Sequence, residues 1–290
     1  MKKPISIIIG ILCMAASCLA QTAYDFSKLK MEPLGRGVIA VRKSPSEVFV
    51  SWRYLSSDPS GASFDIYRDG VKINSAAIKD VCWFIDSNPS ASAARYEVRP
   101  HKGTLRSGSF TLPANAPQGY IPIALDIPAD QTMPNGEVAT YSPNDCSIGD
   151  VDGDGEYEIF LKWDPSNAHD NAHNGYTGDV FIDCLKLDGT RLWRVNLGRN
   201  IRAGAHYTQM MVYDLDGDGC AEMVVKTSDG TIDGTGKVIG DPAADYREHS
   251  EATLGRIMSG NEYLTIFNGR TGAAMKTIEY LPGRGENGSW

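Results

Sequence analysis

The chain has 290 residues, 42% hydrophobic and 22% charged, with a formal net charge of −8 at pH 7. That is enough apolar content for two globular domains and excludes a disordered chain, while the acidity excludes nucleic acid as a natural partner. Beyond Cys13 and Cys18, the four cysteines Cys82, Cys146, Cys184 and Cys220 lack C-x-x-C spacing and paired histidines. Zinc and thiol redox sites are therefore not indicated, and buried apolar thiols are the expectation.

At the N-terminus, Lys2 and Lys3, the apolar run Ile5 to Met14 and the small residues before Gln21 read as a secretory signal peptide over residues 1–20, cut after Ala20. Export to a secreted or periplasmic location is expected. The run is too short for a transmembrane segment. Ala15-Ala16-Ser17-Cys18 is the alternative, a lipid anchor on Cys18, but it lacks the usual large aliphatic residue three positions before the cut.

After a segment over residues 21–36, residues 37–112 alternate in short runs: Val48-Phe49-Val50-Ser51-Trp52, Phe64-Asp65-Ile66-Tyr67-Arg68 and Tyr96-Glu97-Val98-Arg99. These predict strands, with Asp69-Gly70 as a tight hairpin turn. A Trp52 early and a Tyr96 late fit an immunoglobulin-like or fibronectin-III-like β-sandwich, with Val50-Ser51-Trp52, Ile66-Tyr67-Arg68-Asp69-Gly70 and the Tyr96 strand resembling fibronectin III. Nothing in this unit converges on chemistry, so it reads as structural, with Trp52 and Trp83 expected in its core rather than stacking on sugars. A proline-rich linker, residues 113–135, follows.

Residues 136–290 are organised around two acidic loops. Asp150-Val151-Asp152-Gly153-Asp154-Gly155-Glu156-Tyr157-Glu158 recurs 64 residues later as Asp214-Leu215-Asp216-Gly217-Asp218-Gly219-Cys220-Ala221-Glu222. Carboxylates at loop positions 1, 3, 5 and 9, with glycines at 4 and 6, suit a hard divalent cation such as Ca²⁺. The candidate ligand sets are Asp150, Asp152, Asp154, Glu156 and Glu158, then Asp214, Asp216, Asp218, Cys220 and Glu222. An EF-hand would need an acid at position 12, where Leu161 and Val225 stand, and helices where the flanks read as strands. A solvated turn without metal would leave the clustered carboxylates repelling one another.

Each loop is therefore predicted to join the first two strands of a four-stranded antiparallel unit. The second pair is Phe181–Leu187 with Leu192–Val195, then Tyr263–Asn268 with Ala274–Ile278, and the second unit carries the longer intervening loop, residues 229–262. A repeated four-stranded unit of this size predicts an all-β fold in which a partial β-propeller follows the sandwich. Two units do not close a ring, so the chain reads as the front of a longer protein whose open blade edge would self-associate. Strand polarity puts Asn144-Asp145 and Trp163-Asp164 on the rim opposite the acidic loops. The second unit adds His206-Tyr207-Thr208 and Ser228-Asp229. The inter-strand loops carry His169, Asp170, His173 and Asn174, then Asp233, Asp241, Asp245, Tyr246 and His249. Such rims on rigid scaffolds host binding sites.

Tyr141-Ser142-Pro143-Asn144-Asp145, the stretch Ile159 to Asp170, Ile201-Arg202-Ala203-Gly204-Ala205-His206-Tyr207-Thr208-Gln209 and Gly240-Asp241-Pro242-Ala243-Ala244-Asp245-Tyr246-Arg247, together with the first acidic loop, closely resemble the rhamnogalacturonan lyases of polysaccharide lyase family 11. The resemblance implies a calcium protein with an eight-bladed propeller that cuts rhamnogalacturonan I, the pectic polysaccharide, by β-elimination at galacturonosyl units. It implies sugar contacts at Asn144 and Asp164. The family's catalytic lysine and tyrosine fall in later blades, so the catalytic residues of this chain are unknown. His206 and Lys162 are candidates for base and carboxylate contact, although orienting the rim or supporting a metal fits both better. Two rivals are a non-catalytic calcium-propeller binding module, which would not need the Lys162 to Asp170 string, and a glycoside hydrolase using Asp145 and Asp164 as its acid pair.

Overall fold

A computed structural model describes residue 30, residues 32–204 and residues 207–284. The leader, the Cys18 alternative and His206 lie outside the described residues. Within them every regular element is a strand, so the fold class is all-β, and no helix is long and apolar enough to cross a membrane.

The first seven strands are β1 (Ile39–Ser44), β2 (Glu47–Ser51), β3 (Phe64–Arg68), β4 (Val71–Lys72), β5 (Trp83–Asp86), β6 (Ala94–Pro100) and β7 (Gly108–Leu112). They form two sheets, ordered β1-β2-β5 and β4-β3-β6-β7. Alternation places Ala40, Val48 and Val50 of one sheet against Phe64, Ile66, Tyr96 and Val98 of the other, with Trp52 edge-on to Phe64. This arrangement fits the fibronectin-III-like expectation. At the Asp69-Gly70 turn both residues take positive φ, 50° and 82°, the conformation a two-residue hairpin requires. Trp83 departs from the sequence reading: it is 49% exposed and stacks on Phe49 at 6.3 Å, because it lies on the outer face of β5.

One short hairpin, β8 (Gln131–Thr132) and β9 (Val138–Ala139), begins in the linker and ends just beyond it. Next come β10 (Tyr141–Gly149), β11 (Glu158–Pro165), β12 (Phe181–Leu185) and β13 (Arg191–Asn196), a four-stranded antiparallel meander. The second unit repeats it with β14 (Met210–Tyr213), β15 (Glu222–Ser228), β18 (Glu262–Asn268) and β19 (Ala274–Glu279). Between β15 and β18 the longer connection is not a plain loop. It folds into a hairpin, β16 (Thr231–Ile232) and β17 (Val238–Ile239), which crosses to the first sheet and pairs with the edge of β13.

The two meanders share one core. Phe160, Ile182, Cys184, Trp193 and Val195 of the first pack with Met223, Val225 and Phe267 of the second. Each such side chain contributes roughly 1.5–3 kcal/mol by leaving water. Trp193 adds a bond across the sheets, donating Nε1–H to the Gly269 carbonyl at 2.7 Å. All four described cysteines are free; Cys184 is buried as expected, but Cys146 is exposed because β10 is an edge strand with few residues covered.

Candidate functional site

The two acidic loops fold alike and share their principal hydrogen bonds. Asp150 accepts the amides of Gly153 and Gly155 at 2.8 and 2.9 Å, and Asp214 accepts those of Gly217 and Gly219 at 2.7 and 2.9 Å. Glu158 caps the Val151 amide at 3.0 Å as Glu222 caps Leu215 at 2.9 Å. Gly153 and Gly155 have φ of 76° and 91°, with Gly217 and Gly219 at 75° and 93°, so glycine is what allows the backbone to curl. One oxygen from each of Asp150, Asp152 and Glu158 lies within 4.8 Å of the others, and the same holds for Asp214, Asp216 and Asp218. Each cluster is a set of hard oxygen donors of the kind a divalent cation takes. Asp154 and Glu222 stand in the same loops, whereas Glu156 turns toward Gly35 and Cys220 lies next to Gly153 of the first loop.

Burial raises the carboxyls of Glu158 and Glu222 above the usual range, and neighbouring loop aspartates push the same way against a backbone N–H that favours the anion. These are acids crowded together in want of positive charge. Sequence reasoning missed two contributors. Lys186, at the turn after β12, puts Nζ 2.9 Å from Asp152, 3.4 Å from Asp154 and 3.8 Å from Glu158. Glu32 faces both Asp150 and Asp214, and its carboxyl is raised by burial and by those two charges. The strand register would have pointed to Lys186 as the residue beside Glu158; nothing local in sequence points to Glu32.

The segment before the sandwich straps both loops. Lys30 donates its amide to Gly217 O at 2.8 Å, and Gly35 donates to Gly155 O at 2.6 Å. Arg53 of the sandwich adds a bond to Gly155 O and lies over the Tyr157 ring, 4.3 Å from its centroid. The loops thus serve as the floor on which the sandwich rests.

At the other end of the first meander, β10 and β11 slip register between Pro143 and Cys146. The bulge sets Asn144 and Asp145 opposite the single residue Lys162 and fans their side chains apart. Asn144 donates Nδ2–H to Asp164 at 2.8 Å, and Lys162 reaches Asp145 at 3.2 Å and Asp164 at 4.0 Å. Burial raises the Asp164 carboxyl, Lys162 opposing and Asp145 reinforcing the rise. Lys162 itself is 1% exposed, so it can hold the two acids but offers no open face to a ligand.

Farther along this rim, Tyr207 donates its hydroxyl to Asp170 at 3.0 Å, beside a cavity of about 240 Å³ that Asn171, Arg202, Lys226, Glu262 and Arg284 also line. Thr208 holds a φ of 58°, a strained value for a β-branched residue. His169 and His249 are tied down, His169 to the carbonyls of Asn167 and Gly175 and His249 to the Tyr176 hydroxyl. Asp229, expected among the rim groups, is instead a buried hub. It accepts from Tyr246, Asn261 and Tyr263 side chains and from the Asp241 amide, and these bonds outweigh burial to hold its carboxyl below the usual range.

Residues 120–290 match the model of the rhamnogalacturonan lyase family 11 C-terminal domain, and residues 29–109 match that of the rhamnogalacturonan I lyase β-sheet domain. The chain belongs to rhamnogalacturonan lyase family 11. It is 54% identical over 262 residues to the rhamnogalacturonan endolyase YesW of Bacillus subtilis, covering 90% of this chain and 41% of that protein. Against the rhamnogalacturonan exolyase YesX of the same organism the identity is 52%, covering 91% and 42%. The solved structure of a Bacillus licheniformis rhamnogalacturonan lyase superposes with a TM-score of 0.80 at 51% identity, covering 89% of this chain and 43% of that one. The chain therefore spans about two fifths of the length of these family members.

Proposed function

We propose that this chain is the front part of a secreted or periplasmic lyase that cleaves the rhamnogalacturonan I backbone of pectin by β-elimination. The observation that carries the reading is the 54% identity to an endolyase over nearly the whole of this chain. Elimination at a galacturonosyl unit takes the proton from C5 and expels the glycosidic oxygen at C4, leaving an unsaturated uronide. It needs a base within reach of C5–H and positive charge on the uronate carboxylate.

In this reading Asn144 and Asp164 bind sugar hydroxyls at the rim, the amide donating and the carboxylate accepting, while Lys162 keeps Asp145 and Asp164 in position. The burial of Lys162 and its two acid partners favour a supporting role over that of base, and the base itself is assigned to the part of the parent protein beyond this chain. The two acidic loops take Ca²⁺, held by Asp150, Asp152, Asp154 and Glu158 and by Asp214, Asp216, Asp218 and Glu222, with Glu156 and Cys220 at the intervening loop positions. When bound, the ion supplies positive charge to crowded acids and rigidity to the strand turns. Met211, Tyr213 and Ile278, exposed on the second meander, form the face against which a further blade seats.

The test uses the full-length parent protein with rhamnogalacturonan I. Absorbance of the unsaturated product supports the lyase; new reducing ends without it would mean a hydrolase. Neither signal, with retained polysaccharide binding, would mean a binding module.

A further inference from the structure

The two acidic loops are alike in backbone but only the first holds an ammonium among its carboxylates; Glu156, which stands where the second loop has Cys220, turns away toward Gly35. In the first, the Lys186 ammonium sits among three carboxylates, at 2.9, 3.4 and 3.8 Å from Asp152, Asp154 and Glu158, and Arg270 of the second meander donates to the Asp152 carbonyl at 2.5 Å. In the second, no lysine or arginine among the described residues pairs with Asp214, Asp216, Asp218 or Glu222. The register explains the contrast. Ile159 pairs with Leu185 and Met223 with Phe267, so the residue after each of these partners, Lys186 just past the end of β12 and Asn268 at the last position of β18, lies beside the capping glutamate.

We propose that Lys186 is a built-in counter-cation that makes the first loop the weaker of two unequal Ca²⁺ sites and lets that loop keep its shape without metal. The inference rests on the calcium reading above. A cation entering the first loop must lose or displace an ammonium already attracted to its ligands. In the second loop it meets only mutually repelling acids, so its binding relieves more repulsion. Metal should therefore fill the second loop first, and its removal should loosen the second loop before the first.

The experiment is calorimetric titration of the metal-stripped chain with CaCl₂, with D152N and D216N assigning each binding event to its loop. The expected wild-type result is two events, the tighter one abolished by D216N. K186M should tighten the weaker event by about tenfold, and N268K should weaken the tighter one by a similar factor. Hydrogen exchange supplies a readout independent of affinity: in chelator the Gly155 amide should stay protected while the Gly219 amide exchanges. Equal sites, or sites indifferent to both K186M and N268K, would overturn the inference and leave the calcium reading standing. A chain that takes up no Ca²⁺ in any variant would overturn both.

Discussion

At the level of single residues, the buried charges divide into those that hold the fold and those that face the rim. Arg36 and Asp58, both almost fully enclosed in the sandwich, meet through two bonds at 2.5 and 3.0 Å. Burial pushes the Asp58 carboxyl up, but hydrogen bonds from Arg36 and the Leu55 amide win and hold it below the usual range. A carboxyl depressed on folding contributes stability above its unfolded value of about 4, lost as pH falls through the lower folded value. D58N leaves the guanidinium buried and unpaired, so it should cost about 3–5 kcal/mol in chemical denaturation at neutral pH. The variant should also lose part of the acid sensitivity of wild type. At the rim, D164N in the proposed full-length lyase should raise KM about tenfold with a smaller change in kcat, the loss of one charge-assisted sugar contact, and N144A should raise it severalfold, the loss of a neutral one. Unchanged KM in both variants would remove the pair from the substrate site.

At the level of elements, the insertion between β15 and β18 is held by contacts that admit no side chain at one point. Gly240 has a φ of 66°, and a Cβ there would lie 1.8 Å from Asp229 Oδ1. G240A should therefore break the Asp229 hub and lower stability by about 2–3 kcal/mol. Gly236, with a φ of 86° and nothing within 4 Å of its Cβ position, is the matched comparison; G236A should cost only the strain of the left-handed backbone, about 1–2 kcal/mol. Thermal melts of the two variants, measured side by side, separate the steric effect from the conformational one. Equal losses would mean that the contact with Asp229 carries no weight.

At the scale of the whole molecule, the acidic loops are both turns within a sheet and the surface on which the sandwich rests. Gly155 shows the closeness of that fit, since a Cβ there would come within 2.6 Å of the Gly35 nitrogen. Removing metal should lower the melting temperature and expose residues 30–36 to protease at the same chelator concentration, because one set of loops governs both. Cleavage that precedes any loss of melting temperature would separate docking from folding. The exposed Met211, Tyr213 and Ile278 also predict concentration-dependent association of the isolated chain in sedimentation velocity.

What the sequence by itself determined was the part written in short spacings. Asp and Gly at fixed intervals dictate a cation-ready turn, the 64-residue recurrence exposes the repeat, and strand polarity then brings Asn144 beside Asp164, where a 2.8 Å bond joins them. What only the tertiary structure decided depends on partners distant along the chain: Lys186 among the acids of the first loop, Glu32 facing both loops, and Trp83 on a surface instead of in a core. The hairpin of β16 and β17, crossing to the neighbouring sheet, belongs with them. So does Asp229, whose rim-like position in sequence conceals a buried hub. Backbone curvature is a local property and can be read from local residue types, whereas the charge and burial a side chain meets are set by elements that sequence places tens of residues away.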